Sequence, residues 1–70
     1  MNSAAPMSQR EQQFEAMLSA VLSQYAETVE KLDKLKAEGK EKTATYRQLF
    51  GNKLTLGNII ALYKLYDLID

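Results

Sequence analysis

Residues 54–69 read LTLGNIIALYKLYDLI, and the placement of apolar side chains in this stretch decides the fold. Large apolar groups stand at Leu56, Ile59, Ile60, Leu62, Tyr63, Leu65, Tyr66, Leu68 and Ile69. At about 100° per residue they surround nearly the whole circumference of a helix. A narrow strip carrying Gly57, Ala61 and Lys64 stays small or polar, with Asp67 at its edge. A helix that is apolar on almost every side has to be covered on almost every side. Seventy residues offer little material for that. A chain of this size buries only about 60% of the surface its unfolded form exposes. The sequence therefore points to association.

Composition narrows the means. The chain has no cysteine and no histidine, which removes disulfides and the commonest zinc ligands. No metal and no cofactor is expected. Helix packing and oligomerisation remain as stabilisers. Nine bases balance nine acids, so overall charge steers the chain toward neither nucleic acid nor membrane. The charges are unevenly spread, with seven bases against three acids over 31–53 and one base against four acids over the first thirty residues. Acids near a helix start and bases near its end complement the helix dipole.

Upstream of the apolar stretch lies a long amphipathic helix. Ser8, with Glu11 three residues on, forms the pattern of a capping box. No proline or glycine then interrupts the chain before Gly39. Phe14, Leu18, Val21, Tyr25, Thr28, Leu32 and Leu35 follow each other at alternating spacings of four and three. That is the seam of a coiled coil. Met17, Leu22 and Val29 widen it. Glu27 with Lys31 and Glu30 with Lys34 are acid-before-base pairs on the polar side. Gly39 suits the C′ position that ends such a helix.

Between the two lies a charged loop at 39–43, followed by a short helix predicted over about 44–50. Gly51 and Asn52 are the expected stop. Thr55 is the expected N-cap of a third helix over about 56–69. Residues 45–69 thus have the outline of a helix-turn-helix. Residues 1–7 are expected to be a disordered tail, and 8–70 a single small helical domain. The fold expected is all-α. It has a long amphipathic helix followed by a short helix-turn-helix hairpin, assembled into an oligomeric helical bundle.

Chemistry-bearing residues are few. The carboxylates sit mainly on the polar side of the first helix. Asp67 and Asp70, three apart at the chain end, have no buried frame to position them. No catalytic residue is expected. Gly51-Asn52 and Gly57-Asn58 repeat at six residues but lack the spacing and Lys-Ser/Thr pair of a phosphate loop. Gly57 in a helix start lets another backbone come close.

The function expected is a non-catalytic protein–protein interaction or assembly module. It would self-associate, as a homodimer or larger homo-oligomer, through both apolar helices. The first helix would contribute Phe14, Leu18, Val21, Tyr25, Leu32 and Leu35 to the interface. The last would contribute Tyr63, Leu65, Tyr66, Leu68 and Ile69. Tyrosine suits such a role because its ring is buried while its hydroxyl stays wet. Another protein is a further possible partner. The alternative is a small DNA-binding accessory protein of helix-turn-helix type. In that case Lys42, Arg47 and Lys53 would contact phosphates and Asn58 would read a base edge. No secretory leader and no apolar run of about 20 residues is present, so a cytoplasmic protein without membrane contact is expected.

Overall fold

The computed structural model describes residues 8–69, which form two helices, α1 (Gln9–Ala37) and α2 (Ala44–Leu65), folded back on each other as a hairpin. The fold is all-α. The predicted tail at 1–7 and Asp70 lie outside the described residues.

The start of α1 is fixed by the capping box read from the sequence. The Glu11 amide donates to Ser8 Oγ at 3.1 Å, and the Ser8 amide donates to Glu11 Oε1 at 3.2 Å. Two of the helix's orphan donors are satisfied by that exchange. Its end is a Schellman motif. The Lys40 amide donates to Leu35 O at 2.8 Å and the Gly39 amide to Lys36 O at 3.0 Å. Gly39 stands at φ +73°, a left-handed conformation glycine adopts without a Cβ clash. A short loop through Thr43 reverses the chain. There the Thr43 side chain caps α2, accepting from the Tyr46 amide at 3.2 Å while its own hydroxyl donates to Lys40 O at 2.8 Å.

From Ala44 the helix continues without a break to Leu65. This overturns the expected stop at Gly51-Asn52, and with it the separate third helix and the helix-turn-helix outline. Glycine prefers to end helices, yet in a helix interior it costs only about 1 kcal/mol relative to alanine. Here that cost is outweighed by the packing of residues on both sides of it against α1. Thr55 is not a cap. Its hydroxyl donates back to Gly51 O at 3.2 Å, one turn earlier in the same helix. A Cβ added at Gly51 meets nothing within 4 Å, and its backbone is helical. Gly51→Ala should therefore stabilise the hairpin by about 0.5–1 kcal/mol, read as a higher thermal midpoint. A lower midpoint would mean that the glycine holds a bend the fold requires.

α2 also ends earlier than the predicted residue 69. Asp67 takes φ +58°, the Asp67 amide donates to Lys64 O at 3.0 Å, and the Leu68 amide donates to Tyr63 O at 2.8 Å. This is a second Schellman motif, with aspartate in the place glycine usually holds. Asp and Asn enter the left-handed region more readily than other side chains, because a short polar side chain can bond locally.

The seam of α1 faces α2. Leu18, Val21, Leu32 and Tyr63 are the buried apolar residues, and Leu18, Val21 and Tyr63 form one cluster. Phe14, Leu56, Ile59, Ile60 and Ile69 pack around that cluster. The Phe14 and Tyr63 rings meet edge to face, with centroids 5.7 Å apart and planes at 83°. Such pairs add about 0.5–1.5 kcal/mol beyond the area they bury. Thr28, also buried, spends its hydroxyl on Gln24 O at 2.7 Å, so the polar atom in the seam is satisfied. Among the described residues the ion pair that closes within 4 Å is Lys40 with Glu38, at 3.4 Å in the loop. The acid-before-base pairs on α1 stay open in solvent, where they contribute little.

Candidate functional site

What the hairpin leaves open is more informative than what it closes. No side chain among the described residues is fully buried. Two helices have a single line of contact, so each keeps its far side in solvent. On α1 that is harmless, because the far side carries Glu15, Ser19, Ser23, Glu27, Glu30 and Lys34, all exposed. On α2 it is not. Phe50, Leu54, Leu62 and Leu65 stand exposed along the helix, and Tyr66 and Leu68 follow just past its end. Leu54 is 55% exposed, Leu65 71% and Tyr66 70%. Met17 and Leu22 of α1 are exposed as well.

These side chains form a surface, not scattered single residues. Phe50, Leu54, Ala61 and Leu65 fall within about 60° of arc at helical geometry, away from Leu56, Ile60 and Tyr63, which turn to α1. Tyr25, Gly57, Ile60, Ala61 and Lys64 line a shallow groove beside this strip. The hairpin is a rod with an open apolar flank.

The residues expected at an interface divide into three groups. Leu18, Val21, Leu32 and Tyr63 are buried inside the hairpin, where α2 covers the seam. Phe14, Tyr25, Leu35 and Ile69 are half-buried at its margins. Leu65, Tyr66 and Leu68 are exposed. Sequence reasoning placed Ala61 in the small or polar strip of the last helix and assigned neither Phe50 nor Leu54 to the interface. The signal was present in their spacing, but the expected break at Gly51 split the strip across two separate helices.

The three residues considered for phosphate contact do not converge. Lys42 lies exposed in the loop and Arg47 exposed in the first turns of α2. Lys53 is half-buried, with Nζ 5.8 Å from the centroid of the Phe50 ring. Arg47 and Lys53 are about 120° apart around the helix. Among the described residues no three histidine, cysteine or acidic side chains gather in a way that could hold a metal ion. Within the same residues no helix is long and apolar enough to cross a membrane.

Comparison of the chain with protein-family models, with curated proteins and with solved structures finds no match.

Proposed function

We propose that this chain is a non-catalytic assembly module that self-associates through the apolar flank of α2. The observation that carries the reading is the run of large apolar side chains exposed from Phe50 to Leu68, with no fully buried side chain among the described residues. Contiguous exposed apolar surface marks association sites in soluble proteins. Symmetric homo-oligomers are the commonest way to cover such a surface. The residue inventory points the same way. Without cysteine or histidine, and with the carboxylates among the described residues exposed, the chain offers little from which to build a nucleophile or an acid–base pair. A cytoplasmic setting belongs to the same proposal, supported by a sequence that makes no use of disulfides.

DNA binding is the weaker reading. The recognition helix it called for is the middle of a continuous α2, and the three candidate bases lack a common face.

The test is Leu65→Glu, followed by sedimentation velocity. Leu65 is 71% exposed in the single hairpin, so glutamate there costs the fold little. The wild type should sediment as a dimer or larger, and the variant as a monomer of unchanged helical content. Equal sedimentation of the two would remove Leu65 from any interface.

A further inference from the structure

We infer that Asp67 is the hinge of a two-state strap at the open end of the hairpin. In the closed state its left-handed turn folds Ile69 onto the cluster of Leu18, Val21 and Tyr63. In the open state the same residues add a turn to α2 and lift Ile69 away. The carboxylate at 67 selects the closed state. The strap is a property of the single chain and does not depend on self-association.

The course of α2 shows why the helix stops where it does. Its inward stripe runs through Leu56, Ile60 and Tyr63. At about 100° per residue the next position on that stripe is 67, about 40° from Tyr63 and about 20° from Ile60. A helix continued past Leu65 would therefore turn Asp67 toward α1. The two helices run antiparallel, and Tyr63 meets Phe14. One further turn of α2 thus reaches one turn before Phe14, where the spacing of the seam puts Glu11. Glu11 is held there by its bond from the Ser8 amide. The charged residues that line this end beside Phe14 and Leu68 are Arg10, Glu11 and Glu15. Two acids against one base make it a poor place for a third carboxylate, which would also lose water on entering the seam.

The observed turn avoids that placement. With Asp67 at φ +58° the carboxylate stays exposed, and the chain is redirected so that Ile69 lies half-buried against the cluster. In a continued helix Ile69 would stand about 120° from Tyr63 and about 20° from Leu62, itself exposed. One turn thus exchanges a carboxylate for an isoleucine at the end of the apolar seam.

Two features oppose the closed state and make the strap a switch. A side chain with a Cβ is locally disfavoured at positive φ, and residues 66–69 contain no proline or glycine to bar a helix. The cluster that the strap covers also carries the Tyr63 hydroxyl, buried with no partner among the described residues. A state that returns this hydroxyl to water is spared the cost of leaving it unpaired. Short elements with two competing arrangements are the material of conformational switches.

The experiment compares Asp67→Leu, Asp67→Ala and Asp67→Gly with the wild type by NMR. Leucine and alanine remove the carboxylate and disfavour positive φ, while glycine keeps the turn. Cα chemical shifts of residues 66–69 report helix, and nuclear Overhauser contacts from the Ile69 methyls to Leu18 and Val21 report the strap. The wild type and Asp67→Gly should show non-helical shifts at 67–69 together with the Ile69 contacts. Asp67→Leu should show helical shifts through 68 and lose those contacts. Alanine, which adds no bulk to the seam, should shift the same way and keeps the test valid if the leucine variant misfolds. Leucine and alanine variants that keep both the turn and the contacts would overturn the role of the carboxylate. A wild type with helical shifts through 68, or an Asp67→Gly chain without the Ile69 contacts, would overturn the strap itself.

Discussion

Tyr63→Ala removes about a third or more of the stability of the hairpin. Tyr63 is the one buried residue that α2 contributes, at 7% exposure, and it closes the cluster with Leu18 and Val21 while its ring meets Phe14. Truncating a buried aromatic ring to alanine costs about 3–5 kcal/mol. Native domains hold about 0.05–0.15 kcal/mol per residue, or about 3.5–10 kcal/mol for a chain of this length. The loss is therefore a third of the total or more. Far-UV circular dichroism on urea titration should show a broad, early transition, or no folded baseline at all. Tyr63→Phe separates the ring from its hydroxyl. The phenolic oxygen is buried and has no hydrogen-bond partner among the described residues. A buried polar group left unpaired costs about 1–3 kcal/mol, so phenylalanine should match or exceed the wild type in stability. If Tyr63→Phe destabilised as much as Tyr63→Ala, the hydroxyl would have a partner that this account lacks.

Leu32→Ala has the second largest expected effect. Leu32 is the most buried of the core residues, at 5% exposure, and lies outside the cluster around Tyr63. On α1 it is fourteen residues beyond Leu18, about 21 Å at helical rise. Leucine-to-alanine changes in cores cost about 2–5 kcal/mol, the spread depending on how far the site collapses. Here collapse is limited, because the short loop after α1 holds the closed end of the hairpin together. A midpoint shift in urea measures the loss. Sites this far apart add within about 0.3–0.5 kcal/mol, so the double variant with Tyr63→Ala should be unfolded in water. A double variant that kept its helical signal would show that the two sites are not two parts of one marginal core.

The same residues explain what could be read from the sequence and what could not. The start of α1 was legible because Ser8 and Glu11 encode their own hydrogen bonds, and its end because Gly39 takes the left-handed conformation glycine tolerates. The seam from Phe14 to Leu35 was legible as a buried stripe, since periodicity reports burial. It did not report what does the burying. Leu18, Val21 and Leu32 are covered within the same chain, a choice made by the fold-back and not by the spacing. The break placed at Gly51-Asn52 failed because propensity is a local preference of about 1 kcal/mol. The packing of Leu56, Ile59, Ile60 and Tyr63 on α1 is worth more. Thr55 was misread because a threonine hydroxyl can bond back to the preceding turn as well as cap the next helix. The end of α2 was placed too late because aspartate at 67 is not the usual helix stop. The open flank was legible in outline, since a helix apolar all round cannot be covered by one neighbour. Its strip from Phe50 to Leu65 became visible only once α2 was continuous.

The proposed self-association makes the assembly the stable form of this chain. Multi-angle light scattering across a concentration series, with the thermal midpoint measured on the same samples, tests it most directly. Association that favours the folded state makes the midpoint depend on protein concentration. A self-associating chain gives a mass of twice the 7.9 kDa chain or a higher multiple, falling toward the monomer on dilution, with a midpoint that falls alongside it. A mass of one chain at every concentration, with a midpoint that does not move, would contradict it.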